Sequence, residues 1–118
     1  MTQSYVGTKQ VTAWPQAHAD GREGYAVQYQ DGYASWSPKD VFEAAYVPMG
    51  HVGHLAPHQQ RVIAEQEQLA DRIKKLEAFL RTPLFAGLPE DEQRLLKMQA
   101  DAMVLYLGII NTRSAKFA

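Results

Sequence analysis

The sequence predicts an α+β protein: a small antiparallel β module with one short helix, followed by a long antiparallel helical hairpin that oligomerises. Three observations predict it. Residues 24–30 place Tyr25, Val27 and Tyr29 at alternate positions ahead of Asp31-Gly32, which is the period of a half-buried strand followed by a turn. Beyond Pro57, apolar residues recur at spacings of three and four, the period of helices packed along one face. The composition changes near residue 50, since both tryptophans and every tyrosine except Tyr106 precede it.

The β module occupies residues 1–48. A first strand is expected over residues 9–14, stopped by Pro15, and a second over residues 24–30. Asp31-Gly32 reads as a two-residue hairpin turn, glycine accepting the positive φ, with the returning strand over residues 33–36. Ser37 then reads as a helix N-cap, with Pro38 at the first helical position and Asp40 favoured by the helix dipole. That short helix carries Val41, Phe42 and Ala45. Residues 49–56, punctuated by Gly50 and Gly53, read as a linker.

The hairpin domain is residues 57–118. Its first helix is expected from Pro57 or His58 to Arg81, with Val62, Gln66, Leu69, Ile73, Leu76 and Leu80 as a heptad seam having one polar member. Thr82-Pro83 ends it, because a residue before proline is driven out of the helical region. Phe85 and Leu88 fall in a short connection. Pro89 followed by Glu90, Asp91 and Glu92 starts the second helix, which should run to about Arg113. This helix has two apolar seams. Leu95, Met98, Ala102, Leu105 and Ile109 are expected to face the first helix. Leu96, Met103, Tyr106 and Ile110 are then left for contact between copies of the chain, since an uncovered patch of that size is rare on monomers. The alternative is that the β module folds back over the second seam.

Several classes of function are disfavoured. A formal net charge of −1 does not suit a protein that coats long nucleic acid. There is no cysteine, so disulfides and thiolate chemistry are excluded. No apolar run approaches the roughly 20 residues a bilayer span needs, and no signal-peptide core opens the chain. His51, His54 and His58 have metal-like spacing, but they sit in a glycine-containing stretch without nearby Asp or Glu to complete a site. No serine lies in a glycine-rich elbow, and no phosphate-cradling glycine loop is present. Glu65, Glu67 and Asp71 lie among Lys and Arg at helical spacing, as on a solvated, ion-paired face. Neither a catalytic group nor a cofactor is therefore expected. What remains is a basic stretch, Arg72, Lys74, Lys75 and Arg81, opposed by Asp71 and Glu77, with Arg61 upstream. Such donors can hold phosphate by charge-assisted hydrogen bonds, with a planar side chain stacked on a base.

The set His58-Gln59-Gln60-Arg61-Val62, Glu65, Leu69, Ile73, Lys75-Leu76, Ala78-Phe79, Phe85, Leu88, Glu92, Leu95-Leu96, Gln99, Met103 and Tyr106 resembles a family of small helical phage proteins. They are related to a crAss-like phage protein and include the anti-CBASS cyclic-dinucleotide sponges. The resemblance covers residues 57–115. It implies an oligomer, typically a hexamer, that holds cyclic dinucleotides between protomers without cleaving them, some members also holding cyclic trinucleotides. It further implies an anti-defence role in the cytoplasm of the infected bacterial host, with no membrane, metal or cofactor. In that family a first-helix lysine meets the ligand, and Lys75 is the match here. His58 is the planar ring near the helix start and is placed at the same pocket, with Arg61 and Lys74 as further basic neighbours. A small hydroxyl residue is expected two positions beyond the lysine. This chain has Glu77, whose carboxylate would repel a nearby phosphate. Gly24-Tyr25, Val27, Tyr29, Asp31-Gly32-Tyr33, Ser35-Trp36-Ser37-Pro38-Lys39, Val41-Phe42 and Ala45-Tyr46 resemble a module common in phage proteins, where it precedes several different C-terminal domains. A second reading of the whole is a non-catalytic structural or adaptor protein that binds another protein.

Overall fold

Three strands form an antiparallel sheet in the order β1-β2-β3, with β1 at Thr12–Pro15, β2 at Gly24–Gln28 and β3 at Ala34–Pro38. The computed structural model describes residues 1–117. β2 is the central strand, pairing Val27 with Ala13 on one side and Ser35 on the other. Adjacent residues on a strand face opposite sides, yet Ala26 and Val27 are both buried, so both faces of β2 are covered. On the Tyr25–Val27 face lies the short helix α1 (Lys39–Ala45), whose Phe42 stacks on Tyr25 at 4.3 Å and on Tyr46 at 4.9 Å between ring centroids. On the Gly24–Ala26 face lies Trp36, its Nε1–H donating to the Gln16 carbonyl at 2.7 Å. A Cβ on Gly24 would stand 2.6 Å from Trp36 Cε2, so only glycine lets the indole lie flat there.

Two local expectations are corrected. The β2–β3 loop has three residues rather than two: Tyr29 N–H donates to the Tyr33 carbonyl at 2.8 Å, and Gly32 N–H to the Tyr29 carbonyl at 3.0 Å. Gly32, at φ +92°, is the left-handed third residue that such a loop needs. Ser37 and Pro38 end β3 instead of opening α1. Lys39 N–H donates to the Glu23 carbonyl at 3.1 Å, which carries the ladder past the proline. Pro38 is tolerated because β3 is an edge strand, and Ser37 caps nothing.

The hairpin is built from α2 (Pro57–Phe79) and α4 (Glu90–Ser114), with a one-turn helix α3 (Pro83–Ala86) between them. α2 ends two residues before the expected Arg81. Thr82 Oγ1 accepts from Phe85 N–H at 3.3 Å and starts α3, whose Phe85 is buried edge-on against Phe79. The stretch read as a linker is tied down in part: the Gln60 side-chain amide donates to the carbonyls of Val52 and Leu55 at 3.1 and 3.0 Å. Two compact units result, Met1–Tyr46 and Val47–Ala118.

The hairpin core is Leu69 and Ile73 of α2 against Ile110 of α4, with Val62, Met103 and Leu107 packed around them. Here the two seams of α4 exchange roles. Ile110 is 0% exposed and Met103 packs with it against α2, while Leu96 is half-buried. Ile110 therefore cannot serve as contact between copies. The outward seam is the one expected to face α2: Leu95, Met98, Leu105 and Ile109 are each more than half exposed. At about 100° per residue the two stripes lie roughly 120° apart, so they look out on different sides of α4. The inner stripe also includes Ala100 and Leu107, and Ser114, whose hydroxyl donates to Gln66 Oε1. That bond satisfies the one polar member of the α2 seam. Among the described residues no helix is long and apolar enough to cross a membrane.

Candidate functional site

α2 carries every residue singled out for ligand contact, and its start is secured locally. Pro57 occupies the first turn, where its missing N–H costs nothing, and the Gln59 side chain accepts from Ala56 N–H at 3.1 Å. His58 follows, exposed at the first turn, and Arg61 is exposed one turn on. Lys74, Lys75 and Glu77 are exposed near the other end.

Lys75 pairs with Asp71 through Nζ–Oδ2 at 3.0 Å, one helical turn earlier. The lysine side chain is 73% exposed, so the pair holds it only weakly, at about 0.3–0.5 kcal/mol for an exposed i,i+4 pair. An incoming phosphate can therefore take the ammonium from Asp71 at small cost. Lys74 makes no ion pair among the described residues and projects about 100° away around the helix.

The regular helix separates residues that were expected together. His58 and Lys75 are seventeen positions apart on α2, a rise of roughly 25 Å at 1.5 Å per residue. One copy of the chain therefore does not bring the His58 ring and the Lys75 ammonium to one pocket. Glu77 is two positions from Lys75, a rotation of roughly 200°, so its carboxylate leaves on nearly the opposite side of the helix. The repulsion expected between Glu77 and a phosphate on Lys75 does not arise within one protomer.

A polar cluster that sequence reasoning missed crosses the hairpin. The Tyr106 hydroxyl donates to the Glu65 carboxylate, joining α4 to α2. This hydrogen bond pushes the phenol above its ordinary value, and the Arg113 and Arg72 guanidiniums oppose the shift more weakly. Tyr106, expected at the contact between copies, has its hydroxyl engaged inside the hairpin. The available signal was the heptad phase: Glu65 flanks the α2 seam at the position before Gln66, as Tyr106 flanks the α4 seam before Leu107. Among the described residues no group of three or more His, Asp or Glu is placed to hold a metal.

The arrangement thus offers exposed cations on a rigid helix and, on α4, an exposed apolar stripe about 20 Å long. Compared with known proteins, residues 56–116 match the family described as Sequestin, a stretch that spans α2, α3 and α4. No curated protein and no solved structure matches the chain.

Proposed function

The chain belongs to the Sequestin family, and from that membership we propose that it binds and sequesters a cyclic oligonucleotide second messenger without cleaving it. The single observation that carries this reading is the match over residues 56–116, which covers the hairpin and leaves out the β module. The family's name denotes sequestration, and a sequestering protein works by affinity and burial. The ligand is a cyclic dinucleotide, or a trinucleotide at a further site, and the setting is evasion of host defence in the cytoplasm of an infected bacterium.

The pocket lies between protomers. Lys75 of one copy meets a phosphate, and His58 of another copy stacks near the same ligand, with Arg61 beside it. Two α2 helices running antiparallel would bring these ends together, because the roughly 25 Å separating them in one chain is then spanned by two. Assembly is driven by the outward seam Leu95, Met98, Leu105 and Ile109 of α4, and because that seam faces away from α2, the α2 pocket closes at a separate contact between copies. A hexamer is the assembly that the sponge reading favours.

The test is calorimetric titration of the full chain with a panel of cyclic di- and trinucleotides, followed by heat denaturation and recovery of the ligand. At least one ligand should bind with a Kd of about a micromolar or tighter and return chemically unchanged. Linear products that scale with protein concentration would reveal an enzyme. Failure of the whole panel would leave the outward seam of α4 to serve another protein, as in an adaptor.

A further inference from the structure

The β module carries an aromatic cavity that no part of the hairpin chemistry uses. The three-residue loop makes Tyr29 and Tyr33 a closing pair, so their rings emerge on one side and stack at 5.8 Å between centroids, 29° apart in plane. Tyr33 is 65% exposed, so its ring does not serve the core. Lys9, in the stretch before β1, sets its Nζ 4.7 Å from the Tyr29 ring centroid. Together with Gln10, Gln30 and Asp31 these side chains line a surface cavity of about 490 Å³, within the usual range for small-ligand sites.

We propose that this cavity binds a planar aromatic ring bearing an anionic group, the chemistry of a nucleoside monophosphate. The charges decide between an anionic and a cationic ligand. The ion pairs of this unit join Asp20 to His18 and Arg22, and Glu23 to Lys39, which leaves Lys9 without a carboxylate among the described residues. Asp31, by contrast, is committed to the turn, its Oδ1 accepting from Tyr33 N–H at 2.9 Å. The cavity therefore presents one ammonium outside any ion pair among the described residues, one carboxylate tied to the turn, and the rings of Tyr29 and Tyr33. A base stacks on the open face of Tyr33, its phosphate meets Lys9 Nζ, and the Gln10 and Gln30 amides supply donors and acceptors for the base edge. Free nucleotide is favoured over a nucleic acid strand, because the unit sets Lys9, Arg22 and Lys39 against Asp20, Glu23, Asp31, Asp40 and Glu43. That acidic excess repels a polyanion more strongly than a single phosphate. The site stands on the geometry of this unit alone and is independent of the sequestration reading.

The experiment is a nuclear magnetic resonance titration of the ¹⁵N-labelled full chain with adenosine 5′-monophosphate, with adenosine, inorganic phosphate and a short oligodeoxyadenylate as separate arms. The monophosphate should shift the amides of Lys9, Gln10, Tyr29, Gly32 and Tyr33 saturably, with a Kd of about a millimolar or below. Adenosine should bind more weakly, and phosphate alone should leave these amides unmoved. Tyr33→Ala and Lys9→Ala should each weaken binding about fivefold or more, the latter also erasing the preference for monophosphate over adenosine. Both residues are surface side chains, so the amide dispersion of Val27 and Trp36 should persist in the variants. Lys75→Ala should leave the response unchanged. No shift at these amides at about 10 mM monophosphate overturns the site. Tighter binding of the oligonucleotide at the same amides overturns the assignment to a free nucleotide.

Discussion

Lys75 is held only weakly within its own protomer. Its only ion-pair partner among the described residues is Asp71, on the same helix and one turn away, and the ammonium is mostly in solvent. A hydrogen bond from a charged group is worth about 1.5–3 kcal/mol, so Lys75→Ala should weaken cyclic dinucleotide binding roughly ten- to a hundredfold while helicity stays intact. Lys74→Ala should do less, since it projects elsewhere on α2. Glu77→Ser should change affinity by no more than about twofold, because the helix turns that carboxylate away and solvent screens what remains. A tenfold gain would instead put Glu77 of a second protomer against the phosphate. Tyr106 gives a different prediction. Its pKa is raised by the Glu65 bond, so the folded chain holds this proton more tightly than the unfolded one. The stabilisation is complete below the ordinary phenol pKa of about 10 and is lost as pH rises through the higher folded value. Denaturation midpoints followed from pH 8 to 12 should fall more steeply for the wild type than for Tyr106→Phe; parallel curves would show that the Glu65 bond contributes nothing.

On the scale of elements, the two faces of α4 make opposite demands on substitution. Ile110 is fully enclosed by Leu69 and Ile73, so Ile110→Ala should cost about 2–5 kcal/mol through lost burial and a residual cavity. Leu105, at 69% exposure, packs on nothing comparable within its own chain. Leu105→Glu should therefore preserve helicity and the unfolding midpoint of the isolated chain while reducing the sedimentation coefficient. Circular dichroism and sedimentation velocity on the two variants separate these outcomes. If Leu105→Glu unfolds the hairpin as Ile110→Ala does, the outward seam belongs to the fold and not to assembly.

For the whole molecule, the proposed pocket, with opposite ends of α2 contributed by two copies, would make ligand binding a property of the assembly. Anything that binds only the assembled form also stabilises it by mass action. Cyclic dinucleotide should therefore raise the unfolding temperature and shift sedimentation toward the larger species together. Leu105→Glu should lose both responses although Lys75 and His58 are intact. A ligand-induced thermal shift that survives in a monomeric variant would place the site within one chain.

The starts of α2 and α4, the sheet and the heptad of α2 were legible in the sequence because each rests on local chemistry. Pro57 and Pro89 mark starts, Thr82-Pro83 marks an end, and Val62, Leu69, Ile73 and Leu76 repeat at a spacing that only one face of a helix satisfies. The basic character of α2 was equally plain, as was the exclusion of thiol chemistry. The phase of α4 was not. Leu95, Met98, Ala102, Leu105 and Ile109 keep the same three-and-four spacing as Leu96, Ala100, Met103, Leu107 and Ile110, so periodicity alone cannot say which stripe α2 covers. Packing decided it, through the Ile110 contact with Leu69 and Ile73 and the Ser114 bond to Gln66. Tertiary structure likewise decided the Tyr106–Glu65 bond, whereas the separation of His58 from Lys75 follows from the rise of the single helix that carries both. The sequence alone names the side chains, whereas pairing between α2 and α4 and the rise of a regular helix determine which of them meet.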